Sequence, residues 1–77
     1  WGGAAEQVAV DADMLVPIPD PVPDAVAAGL TVTYGTAIHG LKDRGRLQPG
    51  ETIVVTGAAG GAGQAAVEVA ALMGARV

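Results

Sequence analysis

Seventy-seven residues carry a formal net charge of −4, with eight carboxylates against four cations, 51% apolar side chains and no cysteine. With Lys42, Arg44, Arg46 and Arg76 as the only cations, the chain lacks the positive face that a phosphate backbone requires, so nucleic acid is excluded as a partner. The missing cysteines rule out a disulfide framework and thiolate metal ligation, which fits a reducing cytoplasm, and no apolar run approaches the roughly 20 residues that span a bilayer.

A domain of this size buries only about 60% of its unfolded surface, and alanine supplies 16 of the apolar residues while phenylalanine supplies none. The chain opens on Trp1 and closes on Val77 directly after "GAR", which reads as the start of a strand. The expectation is an incomplete fragment of a larger α/β protein.

In chain order, "AEQVAVDADMLVPIPDPVP" is extended in character, with Val8 and Val10 alternating against Gln7 and Asp11. Pro17, Pro19, Pro21 and Pro23 forbid both a helix interior and a central strand. An edge strand and connector are predicted over residues 1–23. Asp11, Asp13, Asp20 and Asp24 form no metal-ligand cluster and read as solvated turns.

Asp24, ahead of "AVAAGL", is placed to cap a helix that is interrupted or kinked around Gly29 and resumes through "TVTYGTAIHGLKDR". Lys42 and Arg44 in its last turn complement the carbonyl end of the dipole, and Gly45 is the expected left-handed stop. "LQPGE" predicts a type II turn with Pro49 and Gly50 at its centre. The β-branched run "TIVVT" lacks polar alternation, which predicts a strand covered on both faces and hence a parallel sheet.

Gly57, Gly60, Gly61 and Gly63 fall within the next seven positions, between that strand and the helical run "GQAAVEVAALMG". This is the context of the dinucleotide-binding fingerprint G-x-G-x-x-G. Gly60 lets backbone amides approach a pyrophosphate, Gly63 lets the helix press against its strand, and the amides around Ala59, Gly61 and Ala62 complete an anion site at a helix amino terminus. Ala58 stands where the fingerprint has its first glycine, a tolerable change if its φ is negative. Ala62, Ala65, Ala66, Val69 and Met73 form a core stripe of mostly small residues on a helix apolar nearly all round, and Gly74 ends it.

Without serine or cysteine no Ser-His-Asp or Cys-His nucleophile can be assembled. With no lysine after the glycine loop, the triphosphate-binding loop is excluded, and one histidine without cysteine makes no zinc site. "TGAAGGAG" also fits the T-G-x-x-x-G-x-G pattern of the short-chain dehydrogenases, but those proteins carry it near the amino terminus, whereas some 50 residues precede it here.

The order of segments resembles the medium-chain dehydrogenase/reductase superfamily, most closely its zinc-independent quinone oxidoreductase branch. "GGAAEQVAVDADMLVPIPD" is similar to the last strand of the GroES-like catalytic domain, and "AAGLTVTYGTAIHGLKDRGRLQPGETIVVTGAAGGAG" to the helix leading into the nucleotide-binding domain. The resemblance implies that residues 1–23 end the first domain and that residues 24–77 begin a doubly wound Rossmann sheet. "TAIHGL" resembles the family's "TAYxAL", which would bring Thr36 and His39 to the nicotinamide end of the cofactor; Ile38 replaces the aromatic residue frequent there. A lone helical histidine is as readily a packed or surface side chain, and Tyr34 reads more as interface packing than as a donor to substrate.

The function implied is hydride transfer from NADPH, or NADH, to a quinone or an α,β-unsaturated carbonyl, in a cytoplasmic homodimer without metal. The position that separates NAD from NADP falls beyond Val77. Two alternatives stand beside it: a zinc-dependent alcohol dehydrogenase of the same superfamily, and a non-catalytic NAD(P)-binding relative.

Overall fold

The computed structural model describes residues 2–77, and Trp1 lies outside the described residues. The amino-terminal part follows the proline spacing. A short 3-10 helix, Ala12–Met14, interrupts extended chain, and among the described residues nothing pairs with residues 7–11 to make the predicted edge strand. An extended segment without a ladder partner remains irregular chain.

Helix α1 runs Asp24–Ile38, and two expectations need correction there. Asp24 is the first helical residue and not the cap; Pro23 holds the cap position with φ −64° and no side chain bonds the first-turn amides. Proline at this boundary loses nothing, because its missing N–H would have been an orphan donor, and Asp24 contributes only as a negative charge near the positive end of the dipole. The second correction concerns Gly29, through which α1 runs without interruption. A single glycine costs a helix interior about 1 kcal/mol against alanine, which one continuous packed helix can absorb.

α1 then widens into a π-helix, His39–Arg44. The Gly45 amide donates to Gly40 O at 2.8 Å and the Leu47 amide to Leu41 O at 2.8 Å. The left-handed residue of this ending is Arg46, with φ +50°, while Gly45 is right-handed at φ −80°. Gly45 is glycine for a different reason: an added Cβ would stand 2.9 Å from Gly40 O and 3.2 Å from Leu41 O.

The turn expected at "LQPGE" forms as read. Gly50 takes φ +85°, the Glu51 amide donates to Gln48 O at 3.2 Å, and Glu51 Oε1 accepts from the Gln48 amide at 2.7 Å. After the glycine loop, helix α2 runs Gly61–Leu72. Its carboxyl end is a Schellman closure: Gly74 is left-handed at φ +84°, and the Ala75 amide reaches back to Ala70 O at 3.0 Å.

The chain leaving α2 returns alongside residues 50–53. Gly50 N donates to Gly74 O, Arg76 N to Glu51 O and Ile53 N to Arg76 O, each at 2.8 Å, with Thr52 and Arg76 forming a parallel bridge. Arg76 Nε also donates to Thr52 Oγ1 at 3.2 Å. Two parallel segments joined through a helix form a βαβ connection at its smallest extent. The ladder goes no further among the described residues, and Val54 is 84% exposed, so the run read as covered on both faces is open on one of them here.

Ala37 of α1 and Ala65 and Val69 of α2 make the buried cluster, flanked by Tyr34, Leu41, Ala66 and Met73. Most of the predicted α2 stripe therefore faces α1. Ala62 and Leu72 remain exposed, while Ala70, outside that cluster, is fully buried and Gly63 and Val67 beside it are half-buried.

Candidate functional site

The glycine loop is fixed from both ends. Gly57 turns the chain with φ +65°, which an alanine could adopt only at about 1–2 kcal/mol, and the Gly60 amide closes the turn on Gly57 O at 3.0 Å. Ala58 lies outside the left-handed region, so alanine at the fingerprint's first position is accommodated. Gly60 then occupies the cap position of α2 in extended conformation, φ −78° and ψ 161°.

Gly63 is the tightest point of the site. A Cβ there would overlap Gly57 O and stand 2.8 Å from Gly57 C and 2.9 Å from Ala58 Cα. The first turn of α2 thus rests directly on the loop backbone, and only glycine permits that approach.

Chain hydrogen bonding of α2 begins with the Gln64 amide, which donates to Gly60 O at 2.8 Å. The amides of Gly61, Ala62 and Gly63 precede it, and a helix leaves such first-turn donors without intrahelical acceptors. Gly60, Gly61 and Ala62 are exposed and Gly63 half-buried. Donors gathered at the positive end of a helix dipole, with little side chain in the way, suit an anionic oxygen cluster such as a pyrophosphate. Ala59, Gly60, Gly61, Ala62 and Gly63 therefore come together as one surface.

Thr36 and His39 do not join that surface through any hydrogen bond among the described residues. Both are exposed, and His39 Nδ1 lies 3.2 Å from Asp43 Oδ2 within the π-helix. The α1 side chain that lies against the loop is Thr33, whose Cγ2 would be 3.6 Å from a Cβ on Gly61. Thr33 carried no motif; its i−4 bond to Gly29 O, 3.0 Å, fixes the hydroxyl inward along its own helix and turns attention to its methyl.

A second feature also lay outside every motif. The Tyr34 hydroxyl donates to Glu68 Oε2, joining α1 to α2. That bond raises the phenol's pKa above its ordinary value, with partial desolvation and the nearby carboxylate charge acting in the same direction. Tyr34 is therefore protonated at neutral pH, where it is a donor.

An open apolar groove of about 240 Å³ lies between the connector, Val16 to Pro19 and Val22, and Ala27, Leu30 and Thr31 of α1. None of the predicted site residues lines it. No group of three or more potential metal ligands occurs among the described residues, and no helix there is long and apolar enough to cross a membrane.

Quinone oxidoreductase-like protein 2 homolog of Nematostella vectensis is 46% identical over 77 residues, covering 99% of this chain and 21% of its own length. The chain is homologous to part of the quinone oxidoreductase-like proteins. The Bos taurus quinone oxidoreductase-like protein 2 is 47% identical over 70 residues, 91% of this chain and 20% of the relative. A phenolphthiocerol/phthiocerol polyketide synthase of Mycobacterium tuberculosis is 50% identical over 66 residues, 86% of this chain and 3% of the synthase. The chain thus spans about a fifth of the quinone oxidoreductase-like relatives and a far smaller share of the synthase. Identity of this order over nearly the whole chain supports a relationship of medium-chain dehydrogenase/reductase type. No family model matches the chain.

Proposed function

We propose that this chain belongs to an NAD(P)H-dependent oxidoreductase, spanning the junction between a GroES-like catalytic domain and the opening of a Rossmann domain, and that the parent reduces a quinone or an α,β-unsaturated carbonyl. The observation that carries the reading is the loop itself. A left-handed Gly57, a Gly63 with no room for a Cβ, and first-turn amides free at the start of α2 are what a pyrophosphate cradle requires. The relatives named for quinone oxidoreduction and the reducing polyketide synthases add support from the side of the chemistry.

The residues present fit the cofactor's phosphates. Gly60, Gly61, Ala62 and Gly63 would hold them by backbone amides, Ala59 would line the approach with a small side chain, and Thr36 and His39 would face the nicotinamide end. When bound, NADPH or NADH supplies the hydride, and the protein's task is position and a dry pocket. This segment orients through its loop and carries no serine or cysteine nucleophile.

The test is turnover by the full-length protein, followed as loss of reduced nicotinamide absorbance with NADPH or NADH and a quinone or enone acceptor. Acceptor-dependent oxidation that survives a zinc chelator is the expected result. Alcohol-dependent reduction of NADP+ abolished by the chelator would assign the parent to the zinc-dependent alcohol dehydrogenases, and cofactor binding without turnover to the non-catalytic relatives.

A further inference from the structure

We propose that the hydrogen bond from Tyr34 to Glu68 is a positioning clamp, which fixes how α2 lies on α1 and thereby where the first-turn amides of α2 point. Its consequence for affinity rests on the cofactor reading above; its consequence for loop order does not.

Three observations carry it. The fully buried contact between the helices is confined to Ala37 against Ala65 and Val69, with Leu41, Ala66 and Met73 only partly buried beside it, so apolar packing alone constrains the pair weakly against sliding or turning. Glu68 is the only charged side chain of α2, and among the described residues no other side-chain hydrogen bond joins the two helices. Finally, besides that apolar contact, α1 approaches α2 at two separated points: the Thr33 methyl faces Gly61 and Tyr34 bonds Glu68. Those points are seven residues, about 10.5 Å, apart along α2. Two fixed points on one rod set its direction.

The Gly63 contact passes this direction to the loop. Because the first turn of α2 has no free space above Gly57 and Ala58, any rotation of α2 must displace the loop with it. Tyr34 touches no reacting atom; it acts through the amides that the helix presents.

The experiment uses the full-length protein with Tyr34→Phe, Glu68→Ala, the double variant and Glu68→Gln. Hydrogen exchange is read at two bonded amides, Gly60 of the loop and Gln64 of the first turn of α2, and the NADPH dissociation constant is read by fluorescence. Loss of the bond in Tyr34→Phe or Glu68→Ala is expected to speed exchange at both amides and to weaken NADPH about three- to tenfold, the range a single hydrogen bond governs. The double variant should be no worse than either single one, and Glu68→Gln, which keeps an acceptor oxygen, should restore most of both readouts. Unchanged exchange at Gly60 and Gln64 overturns the clamp, as does a uniform rise over both helices, which marks a merely structural bond. Wild-type protein that binds no NADPH would sink the cofactor reading, while the exchange data still decide the clamp.

Discussion

Arg46 holds φ +50° at the end of the π-helix while the glycine beside it does not need its freedom. Replacing Arg46 by glycine should remove the strain of a left-handed side-chain residue, partly offset by the added freedom of the unfolded chain, for a net gain of up to about 1 kcal/mol. Denaturant unfolding checks this; a loss of stability would contradict it. Gly45→Ala and Gly63→Ala should each destabilise by about 1–3 kcal/mol through overpacking, since both added methyl groups meet backbone atoms at 2.9 Å or closer. Gly50, Gly57 and Gly74 sit in turns and helix endings whose chemistry demands positive φ, and the Pro-Gly turn and the helix stop at Gly74 were legible for that reason. Gly45 was not, because a sequence does not distinguish a glycine required by conformation from one required by a neighbour's proximity.

Helix α2 was readable as an element, and its small-residue stripe pointed to close packing. Its partner was not readable, because the Tyr34–Glu68 bond joins residues 34 positions apart and no local pattern records such a contact. Tyr34 gives the helix pair an alkaline dependence. Its pKa is raised on folding, so the stability it contributes is fully present below the ordinary phenol value near 10 and is lost as pH rises through the higher folded value. Thermal melts from neutral to strongly alkaline pH should show this component in wild type and not in Tyr34→Phe; identical alkaline profiles would contradict it. Val69, 7% exposed in the shared cluster, should cost about 1–3 kcal/mol on truncation to alanine, read as a lower unfolding midpoint.

Across the molecule, the sequence order of turn, apolar run, glycine loop and helix predicted a parallel arrangement, and the bridge between Thr52 and Arg76 is parallel. Among the described residues that bridge is all of the sheet. Burial on both faces of Val54 requires neighbouring strands and helices, and β-branched composition reports the demand for that cover without supplying it. Thr36 and His39 were placed by resemblance at the nicotinamide end, away from the loop, while the approach of Thr33 to the start of α2 comes through packing that periodicity does not reveal. The loop was legible because turn, close approach and helix start each impose a residue type at a fixed offset.

The central claim is that the amides starting α2 hold a dinucleotide phosphate, and Gly60→Asp in the full-length protein tests it most directly. Gly60 sits at the cap with a negative φ, and a Cβ there would meet only Gly57 O at 3.4 Å. Aspartate is a favoured cap residue and should leave the fold as stable as wild type or more so. Its carboxylate would occupy the same amides and repel a phosphate. NADPH titration is predicted to show binding in wild type and its loss in a variant that melts no lower; equal affinity in the two proteins would contradict the phosphate cradle.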